Sequence, residues 1–338
     1  MLKNKNYNIF FHIWIISLIF LVSLIIIVGG LTRLTDSGLS ITEWELFTGI
    51  LPPTSPEKWI EYFESYKQIP QFLLLNNDMS LEEFKFIFLW EYAHRLLARL
   101  IGIFFLIPFL FFILFNVIKK PLTIKLSSIF ILILIQGSIG WYMVKSGLVE
   151  NTSVSHYRLS IHLIIAFSIL SALFWIALNL LNRTKKKFFQ FNLNYIFIKL
   201  LLILLFIQIV LGAFVSGLDA GKIYQTWPLM NGSYFPDDIL LIDFFNFSLP
   251  SFVQFIHRNL AYLIFFISIY IGFLIFKKKE LDLYKDFIFY FLVIIAQIIL
   301  GILVLISGAN IYLASMHQIS SIFLVVAAIN LYYRTIRC

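Results

Sequence analysis

The sequence predicts an all-α integral membrane protein: eight transmembrane helices forming two pseudo-symmetric four-helix bundles, related as a parallel repeat, with N and C termini inside. Three observations predict this. Of 338 residues, 60% are hydrophobic and 13% charged, with a mean hydropathy of +0.91, whereas a soluble domain carries about a quarter charged residues. Eight apolar stretches are each long enough to cross about 30 Å of hydrocarbon at about 1.5 Å per residue. The second half of the chain also repeats the motifs of the first, in order.

The stretches run approximately over 9–30, 88–118, 124–145, 158–181, 195–217, 252–276, 286–307 and 313–333. The first follows "MLKNKNYNIFFHIW", which lacks the Arg- and Ser-rich character of a mitochondrial transit peptide. No small-residue cleavage site follows it either, so it reads as a retained first helix. With eight spans, Lys3 and Lys5, Lys119, Lys120 and Lys125, Arg183 to Lys187, Lys277 to Lys279, and Arg334 and Arg337 all fall on one side. The opposite side receives the acidic loops 31–87 and 218–251, the second with Asp219, Asp237, Asp238 and Asp243. The positive-inside rule then makes both termini cytoplasmic, or matrix-side in a mitochondrion. An odd helix count would scramble this pattern.

The net charge of +8 is therefore an orientation signal. The bilayer is the expected partner, and nucleic acid is not. The single cysteine, Cys338, excludes an intramolecular disulfide and any metal site built from several thiolates.

The first outer loop carries helix signals. Ser55 is placed to cap a helix with Pro56 at its first position. Ser80 and Glu83 form a capping box leading towards the second span. Two short outer helices are expected as a cover over whatever lies beneath.

The repeat is legible residue by residue. "GGLTRLTDSG" from Gly29 answers to "GAFVSGLDAG" from Gly212, with Trp44 and Trp227 at equal distances beyond. "EYAHRLLARL" answers to "QFIHRNLAYL", "QGSIG" to "QIILG", and "RLSIHL" to "LASMHQ". Because four spans make each half, both halves insert the same way, as a parallel repeat. The division falls at 1–187 and 188–338.

Four of six histidines occupy repeat-equivalent positions: His94, His162, His257 and His317. Each lies on an even-numbered span near its outer end, so all four share one depth. Bundle interiors are where facing side chains bind cofactors, and axial histidines hold haem iron. One such histidine alone would more often cap a helix end, but a cap need not recur twice per half. Zinc would want a third or fourth ligand. His12 and His156 have no repeat partner and read as incidental.

Arg95 and Arg258 adjoin their histidines, Arg158 precedes His162 by one turn, and Arg99 lies one turn below Arg95. They are candidate contacts for anionic haem propionates, against the alternative of arginines snorkelling to headgroups. Gly140, Gly212 and Gly301 permit close approach of a macrocycle or of another helix.

The halves differ at one position. Glu91 precedes His94 by three residues, whereas Gln254 stands three before His257. A charge in a span costs about 2.5 kcal/mol or more. A carboxylate beside a cofactor can carry protons or stabilise a developing cation, and an amide can do neither. The competing reading is an ion pair of Glu91 with Arg95, but Arg258 keeps that spacing without a carboxylate. The first half is therefore expected to hold the chemistry.

With these residues in place, the chain resembles the haem A synthase family, found in bacterial and mitochondrial inner membranes. The motifs are "GGLTRLTDSGLSITEW", "EFKFIFLWEYAHRLLARLIG", "YRLSIHL", "GLDAGKIYQTWPLMNG", "QFIHRNLAY" and the final "HQ", in order over essentially the whole chain. The resemblance implies oxidation of the C8 methyl of haem O to a formyl group, giving haem A for terminal oxidases. It implies haem B between His257 and His317, haem O between His94 and His162, and Glu91 as catalytic carboxylate. It also implies a bacterial inner membrane, haem sites towards the periplasm, and as candidate partners haem O synthase, terminal-oxidase assembly factors and further copies of the chain.

Departures are visible. There is no cysteine pair in the first outer loop, so the chain resembles the cysteine-free branch. "NFSLPSF" stands where the family often has a Glu-Asn pair, and Ala98 where it has glycine. The competing function is a di-haem b-type cytochrome that oxidises quinol, which the Glu91/Gln254 difference disfavours. A transporter would place its site at mid-depth.

Overall fold

The computed structural model describes residues 2–3, 5–43, 48–150, 152–188, 196–239 and 245–336. Trp44, Asp243, Arg337 and Cys338 lie outside them. Ten α-helices and no strand occur among the described residues: α1 (Asn8–Leu34), α2 (Pro56–Tyr66), α3 (Pro70–Leu75), α4 (Leu81–Leu114), α5 (Lys120–Glu150), α6 (His156–Leu181), α7 (Ile196–Gly217), α8 (Pro250–Lys277), α9 (Leu281–Ile306) and α10 (Ile311–Thr335). All but α2 and α3 are long and apolar enough to cross a membrane, which makes eight spans.

The expected caps are present, with one difference in what they cap. Ser55 Oγ accepts from Lys58 N at 3.4 Å, and Pro56 opens α2. Ser80 and Glu83 form the reciprocal box, but the helix it opens is α4 itself. The apolar face continues without a break from Phe84 into the span, so no turn separates cover from span. The second cover helix is instead α3, started by Pro70.

Spans end on left-handed residues that release the chain into its loops. Asp36 and Asp219 both have φ 51°, and Asn116 and Lys279 have 54° and 53°. The sequence repeat aligns each pair.

α1 packs on α4 and α6, α5 joins α4 to α6, and the first four spans close into a ring. The last four do likewise through α7–α8, α8–α9, α9–α10 and α10–α7. The rings meet along α1, α6, α7 and α10, so α6 is the most enclosed span, and α5 and α9 are among the least. At the junction Arg33 bonds Asp36 at 2.6 Å and reaches across to Ser216 O at 2.6 Å and Asp219 at 3.3 Å. The Gln318 amide donates to Ile26 O at 2.7 Å, over Gly30, where a Cβ would stand 1.5 Å from its Oε1.

Inside hydrocarbon every backbone carbonyl needs a donor. Pro108 lies within α4 and has no N–H for Phe104 O. The Trp14 indole of α1 donates to that carbonyl at 2.9 Å, from among Phe11, Phe105 and Phe112. Trp14→Phe is expected to destabilise the detergent-solubilised protein by about 1–3 kcal/mol, the cost of an orphaned buried acceptor. Adding Pro108→Ala supplies the missing N–H and should recover most of the loss in thermal unfolding. Additive effects of the two changes would sink this account.

Candidate functional site

The four aligned histidines lie at the end of the bundle that α2 and α3 cover. His94 on α4 and His162 on α6 face each other with ring centroids 6.4 Å apart. With metal–imidazole bonds of about 2 Å on either side, that spacing is compatible with two rings sharing one metal. His317 on α10 is an electrostatic neighbour of His257 on α8. Among the described residues no three His, Cys, Asp or Glu converge, so each pair offers a metal two ligands.

Each imidazole rests on a glycine of the preceding span. A Cβ on Gly29 would stand 3.0 Å from His94 Nε2, on Gly140 3.0 Å from His162 Cε1, on Gly212 3.3 Å from His257 Cε1, and on Gly301 3.0 Å from His317 Cε1. The glycines are thus seats for the histidines. Three of them follow a glutamine by four residues, in "QGSIG", "QIVLG" and "QIILG". The Gln208 amide lies 3.3 Å from His257 Nε2, and that of Gln297 lies 3.2 Å from His317 Nε2. His317 Nδ1 donates to Gln297 O at 3.1 Å. A carbonyl only accepts, so Nδ1 carries the proton and Nε2 keeps its lone pair. That is the tautomer a metal ligand needs, fixed by an outer hydrogen bond.

These residues fit a macrocycle ligated from both faces. The second half also retains buried polar atoms with no hydrogen-bond partner: Ser251 Oγ, Gln254 Oε1, Gln208 Oε1 and Arg258 Nε.

Glu91 is 2% exposed and accepts four hydrogen bonds. Arg95 Nε and Nη2 donate to Oε1 at 3.0 and 2.5 Å, while Ser40 Oγ and Ile41 N donate to Oε2 at 2.7 and 2.9 Å. The ion pair of the competing sequence reading is therefore present. It does not account for the carboxylate, because the second half does the same structural work without one. Arg95 donates to Ile41 O at 3.0 Å and Glu43 O at 3.3 Å. Arg258 donates to the aligned carbonyls, Tyr224 O at 2.9 Å and Thr226 O at 3.1 Å, and Gln254 also bonds Tyr224 O. Each arginine fastens a strap of loop over its histidine. Arg158 reaches Ser146 and lies over the Tyr142 ring of α5. Arg99 is half-buried one turn below Arg95.

The cover is held by a buried polar chain. Gln71 donates to Asp36 O at 2.9 Å, Tyr66 OH to Gln71 Oε1 at 3.0 Å, and Asn76 to Tyr66 OH at 2.8 Å. Burial pushes the Tyr66 phenol above its ordinary range, with Asp36 and Glu91 adding to the effect against the Asn76 bond. Tyr224, buried beside Asp237 and Asp238 in the second loop, is raised by desolvation first and by those carboxylates second.

Sequence reasoning missed Ser40, the seat at Gly29 and the glutamines. The threefold Q-x-x-x-G spacing was the available signal for the last.

A family model described as "cytochrome oxidase assembly protein" matches residues 12–329. Curated relatives include a haem A synthase of Pelagibacter ubique, 50% identical over 98% of each chain. Those of Nitrosospira multiformis (43% identical, 94% of this chain and 91% of the relative) and Rickettsia bellii (42%, 94% and 96%) are similar along almost the same length.

The strap geometry makes a direct prediction. Arg258→Gln should speed amide hydrogen exchange at 224–230 by about tenfold or more while α8 stays protected, since charged hydrogen bonds of about 1.5–3 kcal/mol are lost. Arg95→Gln should do the same at 39–43. Unchanged exchange would show that something else holds the straps.

Proposed function

The chain belongs to the cytochrome oxidase assembly family that includes the haem A synthases, and from this we propose how its two halves share the family's work. The activity is oxidation of haem O to haem A by a multi-pass membrane protein. In this reading residues 1–187 receive haem O between His94 and His162, and residues 188–338 hold haem B between His257 and His317. When bound, haem B supplies one-electron redox capacity. The capped end faces the periplasm of a bacterial inner membrane, in keeping with the basic loops at the opposite end.

The observation that carries the proposal is Glu91, a buried carboxylate fixed on both oxygens one turn from His94 and replaced by Gln254 in the second half. The histidines orient the substrate ring, the glycine seats let helices and ring approach, and the straps exclude water from above. Glu91 then offers a proton acceptor, or a negative charge beside a developing cation, at the methyl group being oxidised to formyl. Arg95 holds Oε1, so the proton moves at Oε2.

Extraction and chromatography of bound haems test this. Glu91→Gln should retain haem B and accumulate haem O, with haem A formation lowered by about 100-fold or more. His257→Ala should lose haem B. Haem B alone at both sites of the wild-type protein would favour an electron-transfer cytochrome instead.

A further inference from the structure

Beyond Glu91 itself, the halves differ along the whole strap above it. Aligning Gly29 with Gly212 sets Thr32, Thr35, Ser37 and Ser40 against Val215, Leu218, Ala220 and Ile223. The half with the carboxylate has a hydroxyl at four positions where the half with the amide has hydrocarbon. Helix capping does not explain this, because both straps leave their spans through the same left-handed aspartate.

Of these hydroxyls, that of Ser40 is the one that bonds Glu91, while Thr32 and Thr35 return theirs to carbonyls of α1. Thr35 Oγ1 and Ser37 Oγ are 2.6 Å apart. Ser40, 1% exposed, donates to Glu91 Oε2 at 2.7 Å and also lies 3.4 Å from Ile87 O. Its one proton therefore has two acceptors, reached by rotation about the Cβ–Oγ bond. Ile87 and Thr35 both line an open cavity of about 440 Å³ at the capped end, with Asn76, Asp78, Met79 and Glu83. Asp78 and Glu83 are exposed at this cavity, so it opens to solvent. Glu91 is thus one serine away from a residue of a wet cavity wall.

We propose that Ser40 is the proton relay between Glu91 and this cavity. As the Ser40 O–H bond breaks and an O–H bond forms on Glu91 Oε2, a water molecule entering from the cavity past Ile87 gives a proton to Ser40 Oγ, and the hydroxide left behind takes a proton back from the solvent. Run backwards, the same transfer discharges Glu91. The serine ends as it began, and no net charge is left on its oxygen. Ile41 N and Arg95 hold the carboxylate in place throughout. The second half has no carboxylate to serve, and there Ile223 cannot relay.

The proposal rests on Glu91 as the catalytic carboxylate, so Glu91→Gln is measured in parallel on the full-length holoprotein. Ser40→Ala is expected to lower kcat for haem O oxidation by about 10–100-fold, leave KM for haem O unchanged and enlarge the solvent deuterium isotope effect. Ser40→Thr, which keeps a hydroxyl, should restore kcat to within about threefold. A readout without turnover accompanies these. The infrared carboxylate band missing from Glu91→Gln should shift in Ser40→Ala and keep its position in Ser40→Thr. The haem B optical spectrum, unchanged in each variant, reports that the bundle is folded. If Glu91→Gln is inactive while Ser40→Ala turns over at the wild-type rate, the relay alone is overturned. If Ser40→Thr is as slow as Ser40→Ala, the side chain acts by packing and the relay is again overturned. Wild-type turnover in Glu91→Gln would overturn the reading of Glu91 beneath it.

Discussion

An imidazole can stand in the core of a helix bundle only where the facing helix gives up its side chain. Four glycines, at Gly29, Gly140, Gly212 and Gly301, make that concession, and much of the site follows from it. The glycine brings two helices close, the closeness fixes the depth of the ring, and equal depth lets two rings address one plane. The Gln208 and Gln297 amides lie close beside the Nε2 atoms of His257 and His317. A methyl group on any of these glycines would push its imidazole aside by tenths of an ångström.

Above the rings, the arginine after the first histidine of each half acts on the backbone. Arg95 and Arg258 bind carbonyls two residues apart in their straps, so each span carries its own lid fastener. The two lids are alike in geometry and opposite in polarity. One closes with hydroxyls over a carboxylate, the other with aliphatic groups over an amide. A shared scaffold therefore encloses two chemically different spaces, one lined by hydroxyls and a carboxylate and the other by aliphatic groups and an amide.

Much of this was legible in the sequence, for identifiable reasons. Span number and spacing follow from hydrocarbon thickness, which no tertiary contact can override. Ser55 and Ser80 cap helices because their partners lie within four residues. The histidine pairs were legible because repetition substitutes for the missing third dimension. What stayed hidden is what depends on chain segments far apart. Nothing local to "GLSITEW" says that Ser40 meets a carboxylate fifty-one residues on, and nothing in "HR" says which loop carbonyls the arginine bonds. The capping box at Ser80 marked a helix start correctly, but where that helix would stop depended on apolar continuity into the span.

Pro108 and Trp14 bear on how the molecule is made. The carbonyl that proline strands on α4 is answered by an indole on α1, ninety residues earlier in synthesis. The donor is already resident in the bilayer when its acceptor arrives. Insertion order and hydrogen-bond chemistry agree, so a helix that would be unsatisfied alone never has to wait in lipid for a partner not yet translated.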